Sequence, residues 1–153
     1  MTRFVVRASA VAVFTILATG AFAQSEDKKV VYMPAEKVSA AFAKGGQMIE
    51  TGAYKLFAGR RDRDGQAEVH ARDTDVIYVL DGTATIVTGG QVTNGQTTAP
   101  GEIRGEAIAS GDERPLVKGD IVIVPNGVPH LFKNVKAPFL YYVVKVTSPG
   151  GTP

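Results

Sequence analysis

Two periodicities divide the chain. Between Ala35 and Lys44, Val38, Ala41 and Phe42 recur at helical spacing, and the segment is rich in helix formers. Pro34 stands where a helix's first position tolerates a missing N–H, and Gly45-Gly46 supplies a stop. A short helix over 35–44 is predicted. Val30 to Met33 before it reads as a short strand. From Gln47 onward the period falls to two. Strands are predicted at 48–51, 53–60, 66–71, 75–80, 83–88, 114–117, 121–124 and 139–146. Asp81-Gly82 reads as the turn of a hairpin joining 75–80 to 83–88. Ile121 to Val124, four β-branched residues in a row, reads as a fully buried strand. Residues 89–101 are polar, with Asn94-Gly95 and Pro100-Gly101 turns, so a loop or a ragged hairpin is expected there; 102–108 pairs weakly at most. Many short strands, glycine-rich turns and one early helix define an all-β sandwich or barrel.

The first 23 residues do not belong to that pattern. Arg3 and Arg7 precede an apolar run, Ala8 to Ala18, and Ala21-Phe22-Ala23 is a small-x-small cleavage site. The run is shorter than the roughly 20 residues a membrane span needs. A signal peptide over 1–23, cleaved before Gln24, is expected, and with it a periplasmic or secreted location. The mature chain then divides into an N-terminal strand and helix (24–46), a barrel (47–148) and a flexible tail (149–153).

Cleavage changes the charge. The 153 residues hold 17 Lys and Arg against 15 Asp and Glu. Losing Arg3 and Arg7 leaves 15 against 15, near neutrality. That balance argues against nucleic acid or an acidic membrane surface as a partner. Cysteine is absent, which excludes disulfides and thiolate chemistry.

Candidate chemistry concentrates around Gly119 to Asn134. Gly119-Asp120 opens it, Pro125 ends the strand, Asn126-Gly127 turns, and Pro129 stiffens the approach to His130. One histidine is thus held at a corner built from two prolines and a glycine. The segment resembles the second motif of the cupin superfamily, G-x5-P-x-G-x2-H-x3-N. Gly119, Pro125, Gly127, His130 and Asn134 match every fixed position. Glu68 to Gly82 resembles the first motif, H-x-H-x4-E-x6-G, with two departures. Glu68 replaces the first histidine and Asp75 the glutamate, while His70 and Gly82 match.

The resemblance covers roughly residues 54–146 and implies an all-β, cupin-type jelly-roll β-barrel with one short N-terminal helix. It also implies a site at Glu68, His70, Asp75 and His130 that binds one divalent metal ion. Two imidazoles and two carboxylates suit Mn, Fe, Zn or Ni, with the extra carboxylate favouring the harder ions. For the carboxylates two readings stay open. Glu68 is either a ligand or a strand residue paired with Arg60, Arg61 or Arg72. Asp75, one methylene shorter than glutamate, either reaches the ion or instead caps a turn or binds Arg72.

Phe132 shares the face of His130 and is expected to wall the pocket. Lys145 is taken to mark the outer face of 139–146. On that reading Tyr141 and Val143 face out, and Tyr142 faces in and lines the pocket. Tyr78 is expected outside. Arg60, Arg61 and Arg63 read either as a solvated turn or as receivers of an anionic substrate. The long insertion, Thr83 to Lys118, is expected to form a flap over the barrel mouth or an arm in a dimer. The resemblance implies a homodimer and a small-molecule ligand or substrate. The candidate functions are a metal-dependent enzyme of dioxygenase, isomerase or lyase type, a non-catalytic ligand or metal carrier, and a structural cupin with a decayed site. Fold alone does not choose among them.

Overall fold

The computed structural model describes residues 29–149. The expected signal peptide and most of the expected tail lie outside the described residues. Helix α1 spans Ala35–Lys44. Pro34 is its N-cap and not its first residue. Its backbone is extended (φ −67°, ψ 155°), and its carbonyl accepts from the amides of Lys37 (3.0 Å) and Val38 (3.2 Å). At the other end Gly45, at φ +74°, donates its N–H to the Ala41 carbonyl. The helix lies outside the barrel, where Phe42 meets Tyr142 edge-on at 4.8 Å. Val30 to Met33 forms no strand, and Val30 and Tyr32 are exposed. Among the described residues no helix is long and apolar enough to cross a membrane.

Eleven strands follow. They are β1 (Gly46–Glu50), β2 (Tyr54–Arg61), β3 (Ala67–His70), β4 (Asp73–Thr88), β5 (Gln91–Thr93) and β6 (Gln96–Ala99), then β7 (Glu102–Gly105), β8 (Ala107–Ala109), β9 (Asp112–Leu116), β10 (Ile121–Val124) and β11 (His130–Thr147). One path through the main sheet runs β1-β2-β11-β3-β7-β6, and β4 joins it through β11 while also pairing β9 and β10. The sheet curls into the jelly-roll barrel that the sequence pattern and the resemblance imply.

Two long strands form the spine. β4 and β11 pair antiparallel from Asp73↔Thr147 to Thr88↔His130, with register shifts between Lys133 and Tyr141. The shifts explain a change of phase in the buried positions. In β4 the inward residues are Asp73, Asp75, Ile77 and Val79, then Ala84 and Ile86. In β11 they are His130 and Phe132, then Phe139, Tyr141 and Val143. Each strand slips by one position at a shared bend, so that it serves both walls of the barrel. Gly82 sits at that bend with φ +78°, and a Cβ there would lie 2.5 Å from the Pro138 carbonyl oxygen. The expected hairpin at Asp81-Gly82 is therefore a bulge within one strand. Pairing to β11 overrides the local turn signal.

β10 also departs from expectation. It is paired to β4 on one side, Ile121↔Tyr78 to Val124↔Asp75. Val124 is buried, but Ile121 and Ile123 are exposed, so the strand is half-buried. Tyr78 faces outward as expected. Much of the insertion is built into the main sheet. β7 joins the main sheet beside β3, β6 continues it, and β5 and β8 form a separate ribbon.

Candidate metal centre

β3 and β11 bring the two histidines together. Glu68 and His70, two apart in β3, share a face. His130 opens β11, with its Cα opposite that of Glu68. The turn before His130 is fastened to the first motif: Gly127 donates its N–H to the His70 carbonyl (2.8 Å), and Asn126 Nδ2 donates to the Ala71 carbonyl (3.1 Å). The imidazole centroids are 5.2 Å apart, and both rings are buried.

Four acceptor atoms meet there. Glu68 Oε2 lies 3.5 Å from His70 Nε2 and 3.9 Å from His130 Nε2. Asp75 Oδ2 lies 3.7 Å and 3.6 Å from the same two nitrogens. Each histidine's other nitrogen already has a partner. His70 Nδ1 is 2.6 Å from Glu102 Oε2, and His130 Nδ1 is 3.3 Å from the Val128 carbonyl oxygen. Those contacts favour the tautomers with the proton on Nδ1, which leaves both Nε2 lone pairs facing the carboxylates. His70 Nε2 is buried without a hydrogen-bond partner. Lone pairs crowded in this way repel each other unless a proton or a metal cation sits among them.

The residues present fit a divalent ion. Glu68, His70 and His130 can each offer one ligand atom within a 4.8 Å span. Two imidazoles and one carboxylate are the donors of the facial set found in non-haem iron sites. Donors about 2.1 Å from a shared ion stand about 3.0–3.4 Å apart, slightly closer than the 3.5–3.9 Å observed.

The two carboxylates differ. Glu68 directs Oε1 to Arg104 and Arg61, the latter at 3.4 Å, and leaves Oε2 for the centre. Burial opposes its ionisation, but the facing His70 imidazole, with Arg104, Arg61 and His130, holds the carboxyl far below its ordinary range. Asp75 converges on the centre, as the resemblance implies. However, Lys145 Nζ grips both its oxygens, at 2.7 and 2.8 Å. The structure thus gives three free donors and a fourth already held by an ammonium.

The histidines titrate in opposite directions. Burial pulls both down. At His70, Glu68, Asp75 and Glu102 outweigh burial and raise the value. At His130 burial prevails and lowers it.

A cavity of about 520 Å³ opens onto this cluster. Phe132 lines it, as expected. Tyr142 does not; it packs against Phe42 outside, and Tyr141 is the tyrosine that faces in. The assignment reverses because Lys145 is an inward residue, in phase with Tyr141 and Val143 and tied to Asp75. Sequence reasoning also missed Glu102 and Arg104. They stand directly across the β3–β7 ladder from His70 and Glu68. Their one signal is the alternation Glu102-Ile103-Arg104, which puts both charges on one face. Of the arginines near the mouth, Arg61 enters the site, and Arg60 pairs with Asp62.

Comparison with known proteins agrees with this architecture. The cupin family model matches residues 51–153, and the chain belongs to the cupin family. A Bacillus halodurans protein shares the fold at 10% identity and TM-score 0.56, covering 84% of this chain and 89% of that one. A Klebsiella pneumoniae protein with a double-stranded β-helix domain is similar at 20% identity and TM-score 0.50, covering 69% of this chain and 76% of that one. No curated protein matches the sequence.

Proposed function

We propose that this chain is an exported, metal-dependent cupin enzyme that acts on a small organic molecule. One observation carries the reading: His70 Nε2, buried and without a partner, faces the second imidazole and two carboxylate oxygens. Glu68, His70 and His130 would hold one divalent ion, and Asp75 would stand beside it under the control of Lys145. The ion, when bound, supplies Lewis acidity and a template for substrate. The chain's own residues do the rest. Glu102 fixes the His70 ring, and Arg104 and Arg61 keep Glu68 ionised. Phe132 and Tyr141 wall the cavity. The Asp75–Lys145 pair places a carboxylate and an ammonium where a proton can be taken or returned.

Export belongs to the same reading and rests on the first 23 residues. So does a homodimer, for which Ile121 and Ile123 on β10 and Tyr78 on β4 offer an exposed apolar face. Sedimentation of the mature chain, with Ile121→Lys as control, tests it.

Metal analysis of untagged protein recovered from its own compartment tests the centre. About one equivalent of a divalent ion is expected, lost in His130→Ala. Turnover of catechols, organic acids or sugars that vanishes in His70→Ala separates an enzyme from a carrier. Less than about a tenth of an equivalent, unchanged by His130→Ala, would overturn the metal reading.

A further inference from the structure

The charges and donors around the cavity define the kind of molecule it takes. Six Lys and Arg side chains line it against five Asp and Glu, and a divalent ion would raise the positive excess from one to three. Arg61 is the cation best placed to use that excess. Its side chain is 20% exposed, and its guanidinium carbon stands 4.7 Å over the Phe132 ring. Nε donates to the Tyr141 hydroxyl (3.0 Å), and one terminal nitrogen makes the long 3.4 Å contact to Glu68. A guanidinium has five N–H donors, so several remain for a planar anion.

Tyr141 points the same way. Its oxygen accepts from Arg61, and among the described residues its own proton has no acceptor. Burial raises its pKa, which keeps that proton in place as a donor. The wall beneath is apolar: Phe57, Ile77, Phe132 and Val143 line the same cavity.

We infer that the site binds a small organic carboxylate with an apolar body, its carboxylate received by Arg61 and the Tyr141 hydroxyl. This rests on the metal-site reading for the location of the reacting centre, but not for the recognition itself. A preference for carboxylate over amide follows directly, because an amide offers one acceptor oxygen and no charge.

The test uses the mature chain loaded with zinc, titrated calorimetrically with benzoate, with benzamide and with inorganic phosphate. Benzoate is expected to bind at least about tenfold tighter than benzamide. Arg61→Gln should erase most of that ratio. Tyr141→Phe, which removes one oxygen, should weaken benzoate several-fold and benzamide by a smaller factor, so that the ratio narrows, with zinc affinity read separately as the check on the fold of the site. It also covers the case in which Arg61→Gln does not fold. Equal binding of benzoate and benzamide, no benzoate binding, tighter binding of phosphate, or a ratio untouched by both substitutions overturns the inference. A separate zinc titration distinguishes the failures. If zinc does not bind but the metal-free chain still selects benzoate, the metal reading falls and this one stands. If zinc binds and the selection is absent, the reverse holds.

Discussion

Glu102 Oε2 lies 2.6 Å from His70 Nδ1, and the two residues face each other across the β3–β7 ladder. A carboxylate in that position fixes the ring and raises the basicity of the opposite nitrogen. Glu102→Ala should therefore lower metal affinity by about 10–100-fold and barely move the unfolding midpoint of the metal-free chain. Glu102→Gln should fall between, since an amide oxygen still accepts the Nδ1 proton. Equilibrium dialysis measures the affinities; equal affinity in all three proteins would remove Glu102 from the centre.

Lys145 and Asp75 form a pair whose side chains are only 14% and 6% exposed. Replacing Lys145 with Met leaves a buried carboxylate uncompensated, at a cost of about 3–5 kcal/mol. The same change frees Asp75 Oδ2, already 3.6–3.7 Å from both Nε2 atoms, to act as a fourth ligand. The variant should thus be less stable than the parent without metal, yet bind metal more tightly and recover stability as metal is added. Urea unfolding at several metal concentrations checks both halves. Lys145→Met combined with Asp75→Asn should lose the gain in affinity.

Gly82 tests the shared bend of the two long strands. An alanine would be forced to φ +78° with its Cβ 3.0 Å from the Phe139 Cα as well as 2.5 Å from the Pro138 oxygen. Left-handed strain alone costs about 1–3 kcal/mol, so a loss at or above the top of that range is expected in chemical denaturation. Gly127→Ala is the control. It has a similar φ of +79° but open space around the added carbon, so it should cost less.

Asp73 and Lys55 set a pH window for stability. They pair at 2.9 Å, and Thr147 also donates to Asp73. Burial opposes ionisation of Asp73, but Lys55 and Thr147 prevail and hold its pKa below 3.8. The hydrogen bond to Asp73 raises Lys55 above 10.5. Asp73 therefore contributes stability above about pH 4 and loses it as the pH falls through its depressed folded value. Lys55 contributes below about pH 10 and loses it as the pH rises through its raised folded value. Asp73→Asn should cost about 1.5–3 kcal/mol at neutral pH. Its deficit should shrink in acid and alkali. A deficit constant from pH 2 to pH 7 would deny the pair its role.

Both motifs were legible because their fixed residues serve local geometry. Gly127 needs a positive φ, and His130 follows a turn latched to the His70 carbonyl. What was not legible depends on partners distant in the chain. Lys145 would mark a solvent face in most strands, and only the burial of Asp75 beneath it reverses the reading and exchanges Tyr141 for Tyr142. Asp81-Gly82 carries a true turn signal, yet the bend it makes is shared with β11. Glu102 and Arg104 sit in a stretch, 102–108, that reads only as weakly pairing, and their place opposite His70 and Glu68 is fixed by register alone.

That register has a further consequence. His70 and Glu68 draw their outer partners from a peripheral ribbon, residues 96–105, whose far strand β6 is exposed throughout. The barrel's packed interior is built from other strands. Affinity for an ion at the proposed centre and survival of the barrel are consequently separable properties, and changes in the ribbon can retune the first while leaving the second intact.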